Sequence, residues 1–130
     1  MTPTGRTLLA LRRSGYLAEG VERFIAQAGM RKDLFGIIDI VAIRRGEAGV
    51  LGIQATTAPN LSTRRRKAQA SRALRTWLAT GNRFVLWAWS QCNGQWRIRR
   101  GALTLPDLAA FALDLTPRRR RKQLERGLFD

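Results

Sequence analysis

The spacing of hydrophobic side chains along the chain alternates between a helical period and a strand period. Between 61 and 79, the apolar residues Ala70, Leu74 and Trp77 recur every three or four positions, which is typical of a helix with one face on a core. Residues 36–44 are rich in β-branched side chains and too short a run for a core helix, which predicts a strand. In chain order the pattern predicts a helix over 4–14, strands over 21–25, 36–44 and 50–56, a helix over 61–79, strands over 83–91 and 95–100, and helices over 106–113 and 117–127.

This order of elements indicates the fold class. A helix, several strands, a second helix and two further strands predict an α/β protein with a central mixed β-sheet flanked by helices. The predicted hairpin of strands 36–44 and 50–56 forms the centre of that sheet. The length of 130 residues suits one domain. We expect the domain to span residues 1–115, and the basic segment 116–130 to follow it as a helix or tail.

The composition narrows the range of functions. The chain has 24 Lys and Arg residues against 9 Asp and Glu and no histidine, which gives a formal net charge of +15. Such a surface attracts acidic polymers, of which nucleic acid is the commonest. The missing histidines exclude a Ser-His-Asp triad, a His-ligated zinc site and a histidine general base. The single cysteine, Cys92, excludes a disulfide or a four-cysteine zinc site within one chain and is consistent with a reducing compartment.

The positive charge is concentrated in one part of the chain. No acidic residue occurs from Ala48 to Pro106, so the arginines there are expected to form a patch. We expect DNA, branched or duplex, as the partner, with RNA as an alternative. Neither a membrane-spanning stretch nor a secretory signal is predicted, so we expect no membrane partner and a cytoplasmic location, in a bacterium or in the host of a phage. The arginines expected to contact phosphates are Arg64, Arg65, Arg66, Arg72, Arg97, Arg99, Arg100, Arg118, Arg119, Arg120 and Arg121.

Asp39 is the residue that points most directly to chemistry. It lies in the middle of the predicted strand 36–44, on the same face as Val41. Burial of an unpaired carboxylate costs several kcal/mol, so we expect a metal ion or a cation beside it. The alternative is a buried ion pair with one of the arginines. Gln54 and Thr56 share one face of the next predicted strand, and in a hairpin their side chains converge with Asp39.

An aspartate on one strand, a turn, and an acid-x-Lys on the next strand is the motif of the PD-(D/E)XK nuclease superfamily. The chain resembles this superfamily in the predicted order helix-strand-strand-strand-helix-strand over 4–91. The stretches RKDLFGIIDIVAI and VLGIQAT are similar to phage and archaeal-type Holliday junction resolvases. The motif is degenerate, because Gln54 stands where the pattern has an acid and Thr56 stands where it has Lys. The resemblance implies a restriction-endonuclease-like αβββαβ core within residues 1–115.

The resemblance also implies a metal site and its chemistry. A Mg²⁺ or Mn²⁺ ion bound to oxygen ligands would activate a water molecule and stabilise charge on the scissile phosphate, and neither role needs a histidine. The implied metal ligands are Asp39, the Gln54 carbonyl, Asp33 and Glu22, and the implied catalytic residues are Asp39, Gln54, Thr56 and Lys67.

Lys67 is expected to replace the motif lysine, since Thr56 has no ammonium group. On a helix over 61–79, Lys67 lies close to the direction of Leu74, on the core-facing side, and its amine can reach towards the sheet. Displaced lysines on this helix are a feature of the superfamily. A lysine that only lies at the edge of the core is the alternative interpretation, and Arg64 is the alternative donor.

Three functions remain open at this point. The first is a metal-dependent DNA endonuclease, structure-selective if it is resolvase-like. The second is a non-catalytic DNA- or RNA-binding protein on a degenerate nuclease fold, which Gln54 and Thr56 keep open. The third is a small ribosome-associated basic protein, against which the buried Asp39 and the four tryptophans count. Because resolvase-like nucleases generally pair their active sites, the resemblance leaves a homodimer open as well.

Overall fold

A computed structural model describes residues 1–108 of the chain. They form one α/β domain with a five-stranded mixed β-sheet and a separate two-stranded hairpin, which confirms the predicted class. The predicted segments 109–113, 116–130 and 117–127 lie outside the described residues. No helix within residues 1–108 is long and apolar enough to cross a membrane. The elements are α1 (Pro3–Arg13), β1 (Leu17–Gly20), β2 (Arg23–Ile25), β3 (Met30–Lys32), β4 (Ile40–Ile43), β5 (Leu51–Thr57), α2 (Leu61–Gln69), α3 (Arg72–Ala79), β6 (Arg83–Cys92) and β7 (Gln95–Leu103).

The five-stranded sheet has the order β1-β4-β5-β6-β7. The strands β1, β4 and β5 form an antiparallel meander. The crossover through α2 and α3 then makes β6 parallel to β5, and β7 returns antiparallel at the far edge. The central strand is β5, and all of its residues except Thr57 are buried. The two predicted central strands are therefore neighbours, with β5 at the centre and β4 between β5 and the edge strand β1.

Helices cover both faces of this sheet. On one face, Leu11 of α1 packs in a cluster with Ile53 and other sheet residues. On the other face, Ala68 of α2 and Leu74 of α3 pack with residues of β6, including Leu86. Because Leu86 is in register with Gln54, Gln54 belongs to this second face, which we call the α2–α3 face. The polar residues of β5 are thus buried beneath α2 and α3.

Helix α1 begins and ends where local chemistry predicts. The Thr2 side chain accepts a hydrogen bond from the Gly5 N–H (3.0 Å), and Pro3 occupies the first helical turn. Gly15 follows the helix with φ +91°, a conformation that favours glycine. Trp89 of β6 donates to the Thr7 hydroxyl (2.9 Å), which joins α1 to the sheet. The predicted helix over 4–14 is confirmed to within one residue at each end.

The predicted single helix over 61–79 is wrong, because the chain forms two helices there. Helix α2 ends at Gln69, and Ser71 caps the N-terminus of α3 by accepting a hydrogen bond from the Leu74 N–H (3.0 Å). The Ser71 hydroxyl takes the place of a helical carbonyl as the acceptor for a backbone N–H, and so it stabilises a break between the two helices. The helical spacing of the apolar residues continues across this break. Lys67 and Leu74 therefore lie on different helices.

The predicted strand over 36–44 is also too long. Leu34 and Ile38 exchange backbone hydrogen bonds of 2.9 and 3.0 Å, which close a tight turn. Phe35 and Gly36 within this turn have φ +55° and +76°, outside the strand region. Consequently Asp39 directly precedes β4 and does not lie in the middle of a strand.

The predicted strand over 21–25 is confirmed only at Arg23–Ile25, and this strand is not part of the main sheet. The edge strand of the main sheet is β1, which ends at Gly20, and residues 23–25 instead form β2 of the hairpin with β3. At the other end of the described chain, the predicted helix over 106–113 begins only as a 3₁₀ turn, Leu105–Asp107, and Leu108 has extended backbone. The sequence pattern thus predicted the central β4–β5 pair correctly but not the separate β2–β3 hairpin.

Candidate metal centre

Three carboxylates converge where the hairpin meets the start of β4. Glu22, Asp33 and Asp39 each present an oxygen atom, and these three atoms lie within 4.8 Å of one another. Asp39 is buried, Asp33 is half-buried and Glu22 is exposed. The cluster therefore extends from the core to the solvent, and it contains all three acids that were predicted as metal ligands.

The β2–β3 hairpin is the element that brings Glu22 and Asp33 together. Phe24 of β2 is in register with Arg31 of β3. Continuing the same register towards the base of the hairpin sets Glu22 opposite Asp33. Opposite residues of an antiparallel pair lie on the same face, and residues two positions apart along a strand share it. The two acids, Phe24 and Arg31 therefore belong to one face of the hairpin.

Asp39 is held firmly against the central strand. Its backbone N–H donates to the Ile53 carbonyl (2.9 Å), and its Oδ2 accepts a hydrogen bond from the Ala55 N–H (2.9 Å). The ion pairs among residues 1–108 involve Glu22 and Glu47 but not Asp39. The alternative expectation, a buried Asp39–arginine pair, therefore does not hold for the described residues.

The surroundings of Asp39 disfavour its charge. The pKa of Asp39 is raised from 3.8 to about 7, and burial is the largest cause. The adjoining Asp33 carboxyl and the charge of Glu22 contribute to this rise, and the hydrogen bond from the Ala55 N–H opposes it. A carboxyl group with such a pKa carries only part of its charge at neutral pH. A divalent cation beside it would favour the ionised form, because opposite charges stabilise each other in a poorly solvated site.

Gln54 contributes a fourth polar group from β5. Its side chain is completely buried, at 0% exposure. The amide Nε2 donates to Asp33 Oδ2 (3.0 Å) and lies 3.5 Å from Asp39 Oδ1. Its Oε1 is buried and accepts no hydrogen bond. The predicted orientation, with the Gln54 carbonyl towards the acids, is therefore reversed, because N–H groups are attracted to carboxylate oxygens.

The chemistry of these groups fits a hard divalent cation. Carboxylate and amide oxygens are the ligands that Mg²⁺ and Mn²⁺ prefer. A buried carbonyl without a partner costs about 1–3 kcal/mol. Rotation of the Gln54 amide group by 180° exchanges the positions of its oxygen and nitrogen. The rotated state, with the oxygen towards the carboxylates, is favourable only when a cation lies between them. The Glu22–Asp33–Asp39 cluster could thus hold a metal ion, with Gln54 as the additional oxygen ligand.

Lys67 does not lie where the sequence pattern predicted it. Its side chain is exposed, and the neighbouring Ala68 is the residue of α2 that is buried in the core. The break at Ser71 explains the error, since the direction of Leu74 no longer predicts the direction of Lys67. Arg64, the alternative donor, is half-buried on α2.

Thr56 occupies the motif-lysine position on β5. It is buried on the α2–α3 face, two residues beyond Gln54. Its register partner on β6 is the small residue Ala88, which in turn is opposite Arg99 of β7. Thr56, Ala88 and Arg99 thus lie side by side on three neighbouring strands.

Arg31 is the basic residue that the sequence analysis missed. Its Nη1 lies 3.4 Å from Glu22 Oε1, so a guanidinium group contacts the acid cluster directly. The Arg31 side chain remains 69% exposed, which leaves most of its donors free for a phosphate. The signal in the sequence is its position two residues before Asp33, but this signal is informative only once the hairpin register is known.

The predicted phosphate-binding arginines divide between the two faces of the sheet. Arg100 of β7 stacks over Trp87 at 5.1 Å on the α1 side. By alternation, Arg97 and Arg99 lie on the α2–α3 face, which they share with Gln54. Arg118, Arg119, Arg120 and Arg121 lie outside the described residues. Arg66, Arg72, Arg97, Arg99 and Arg100 are exposed, and Arg64 and Arg65 are half-buried.

Arg65 extends the basic surface from α2 to the sheet edge. A methyl group built on Gly101 of β7 would lie 2.5 Å from Arg65 Nη2, so the arginine crosses directly over this glycine. Three of the predicted arginines, Arg65, Arg97 and Arg99, thus lie on the side of the sheet that bears Gln54 and Thr56.

Comparison of the chain with protein-family profiles, curated proteins and solved structures finds no match.

Proposed function

We propose that the protein is a metal-dependent DNA endonuclease of the PD-(D/E)XK type. The observation that carries this proposal is the juxtaposition of Asp39, directly before β4, with the buried Gln54 amide of β5, whose carbonyl oxygen has no partner. The order of α1, β1, β4, β5, α2–α3 and β6 supports it, since this is the αβββαβ order that the resemblance implies. The β2–β3 hairpin is then an insertion between the first two strands of the core.

In this proposal the acid cluster and the Gln54 carbonyl hold Mg²⁺ or Mn²⁺. When bound, such an ion polarises the scissile phosphate and lowers the pKa of a water molecule. The Ala55 N–H orients the Asp39 carboxylate through its hydrogen bond. Arg31, beside Glu22, stabilises negative charge on the phosphate. Arg31 does this by electrostatics, as a fixed positive charge, and not by proton transfer.

The charge distribution favours DNA as the substrate. The acid cluster lies in a chain of net charge +15, and Arg65, Arg97 and Arg99 lie on the same side of the sheet as Gln54. Arginines on such a surface contact phosphates and position the duplex without reading its sequence. Lys67 is exposed on α2, and its role as the replacement for the motif lysine remains a prediction beside that of Arg31.

A non-catalytic nucleic-acid-binding protein on the same fold is the second candidate function. The observation that favours it is the buried Thr56 at the motif-lysine position, because a hydroxyl group cannot supply the positive charge of an ammonium. The two candidates predict the same DNA-binding surface. They differ in whether a divalent metal ion and Asp39 are needed for a chemical step.

The test compares the wild type with Asp39→Asn on labelled four-way junction, flap and linear duplex DNA, each with Mn²⁺, Mg²⁺ or EDTA. We expect metal-dependent cleavage that falls by about 100-fold or more in Asp39→Asn, because the substitution removes a metal ligand with little change of shape. Glu19→Gln is the matched control, since Glu19 is an exposed acid on β1 outside the cluster, and it should cleave like the wild type. Binding without cleavage of any substrate would instead favour the second candidate.

A further inference from the structure

The β2–β3 hairpin has features that metal-dependent hydrolysis does not require. All of its strand residues except Ile25 are exposed. Two of them are large and apolar, with Phe24 60% and Met30 55% exposed. Exposed apolar side chains among basic ones are typical of surfaces that bind a partner. The basic residues of the hairpin strands are Arg23, Arg31 and Lys32.

The two faces of the hairpin differ in what they adjoin. Phe24 and Arg31 are opposite each other and share their face with Glu22 and Asp33, the acids at the hairpin base. Met30 lies on the other face, opposite Ile25. Two residues along a strand span about 7 Å, so the backbone of Phe24 is about that far from the backbone of Glu22 at the acid cluster. One exposed aromatic ring is therefore next to the proposed metal site, and one exposed apolar side chain is turned away from it.

The ring and the guanidinium together match the two parts of a nucleotide. An exposed aromatic ring stacks on a base whose face is free, and every base has such a face when it is unpaired. In a duplex, neighbouring base pairs cover these faces. Arg31 is mostly exposed and its contact with Glu22 is a surface ion pair, which stabilises little, so a phosphate can take the place of Glu22 as its partner.

We propose that the Phe24–Arg31 face of the hairpin binds an unpaired nucleotide beside the acid cluster, with Phe24 stacked on the base and Arg31 on the adjacent phosphate. The proposal rests on the proposed nuclease function and names its substrate class: DNA that has a single-stranded segment next to the bond that is cleaved, as in a flap, a gap or a branch. Fully paired linear duplex lacks the free base and does not gain this contact.

The test measures binding in EDTA, so that it does not depend on catalysis. Fluorescence anisotropy is recorded with labelled oligo-dT and with a blunt duplex of the same length, for the wild type, Phe24→Ala, Phe24→Trp and Met30→Ala. We expect Phe24→Ala to weaken oligo-dT binding by about fivefold or more and to leave duplex binding within about twofold. Phe24→Trp should retain oligo-dT binding, and Met30→Ala, on the opposite face, should resemble the wild type in both.

Three results would overturn the hairpin proposal. The first is wild-type protein that does not bind oligo-dT, and the second is an equal loss of oligo-dT affinity in Phe24→Ala and Met30→Ala. The third is a Phe24→Ala variant that sediments as a smaller species, which would assign Phe24 to a contact with a second copy of the chain. Circular dichroism of each variant confirms that it is folded. Failure of the nuclease function gives a different pattern, because oligo-dT binding would still depend on Phe24 while no substrate is cleaved. Conversely, metal-dependent cleavage with unchanged oligo-dT binding in Phe24→Ala would refute the hairpin alone.

Discussion

At the scale of single residues, the buried carboxyl group of Asp39 determines how the protein responds to pH. Its pKa of about 7 exceeds the ordinary value, chiefly because of burial. The folded state therefore holds the Asp39 proton more tightly than the unfolded chain does. The resulting stabilisation is complete below pH about 4, declines as the pH rises towards about 7, and is absent above that.

This linkage predicts how Asp39→Asn changes stability in metal-free protein. Asparagine does not titrate, so the variant does not lose stability as the wild type does when the pH rises. The free energy of unfolding of the variant minus that of the wild type should increase by up to a few kcal/mol between pH about 4 and pH about 7 and then stay constant. Urea unfolding in EDTA across this range measures it. A difference that does not vary with pH would mean that the folded protein leaves Asp39 with an ordinary pKa.

Gln54→Glu restores the acid of the motif and should change metal dependence in a characteristic way. A further carboxylate beside Asp33 and Asp39 is repelled by both, so we expect a lower melting temperature in EDTA. With Mn²⁺ the added charge becomes a ligand, and the variant should gain more in melting temperature than the wild type does. Gln95→Glu, at an exposed position of β7, is the control. Equal Mn²⁺ responses of Gln54→Glu and wild type would place the metal elsewhere.

Most residues of the site could be predicted from the sequence, but the orientation of their side chains could not. The acid on one strand, the polar pair on the next and the two additional acids were predicted by the motif and its spacing. That the Gln54 nitrogen and not its oxygen faces Asp33 depends on where the carboxylates point. The contact of Arg31 with Glu22 depends on a register between β2 and β3 that no local pattern encodes.

At the scale of elements, the alternation along β7 predicts a difference between neighbouring arginines. Arg99 lies on the face of the acid cluster, and Arg100 stacks on Trp87 on the opposite face. We expect Arg99→Ala to weaken DNA binding severalfold and to reduce the slope of log affinity against log salt by about one, whereas Arg100→Ala should change both less. Anisotropy titrations with duplex DNA at several salt concentrations measure this. Equal effects of the two substitutions would imply that DNA does not use the α2–α3 face.

The elements that the sequence predicted well are those whose signals are local. The capping residue Thr2 and the stop at Gly15 fix α1, and β6 follows a run rich in apolar and aromatic residues. The elements it missed depend on competition between interactions. The Ser71 hydroxyl breaks a helix whose apolar spacing continues, and the turn at Phe35 and Gly36 shortens a strand whose composition continues.

At the scale of the whole molecule, the fold class followed from the order of elements, while the proposed function depends on where the β2–β3 hairpin is placed. The hairpin between β1 and β4 supplies two of the three acids, Glu22 and Asp33, together with Arg31. It does so within a chain of net charge +15, in which a compact cluster of acids is the exception to the overall charge. A site that concentrates negative charge in a basic protein suits a bound cation that is shared with DNA phosphates.

The most direct test of the proposed metal centre is Mn²⁺ binding followed by the electron paramagnetic resonance signal of free Mn²⁺, with the wild type, Asp39→Ala and Glu19→Gln. Wild type and Glu19→Gln should remove the free-ion signal in a saturable way, and Asp39→Ala should lose this binding. Saturable binding that is unchanged in Asp39→Ala, or no binding by the folded wild type, would contradict the assignment of a metal centre to Glu22, Asp33 and Asp39.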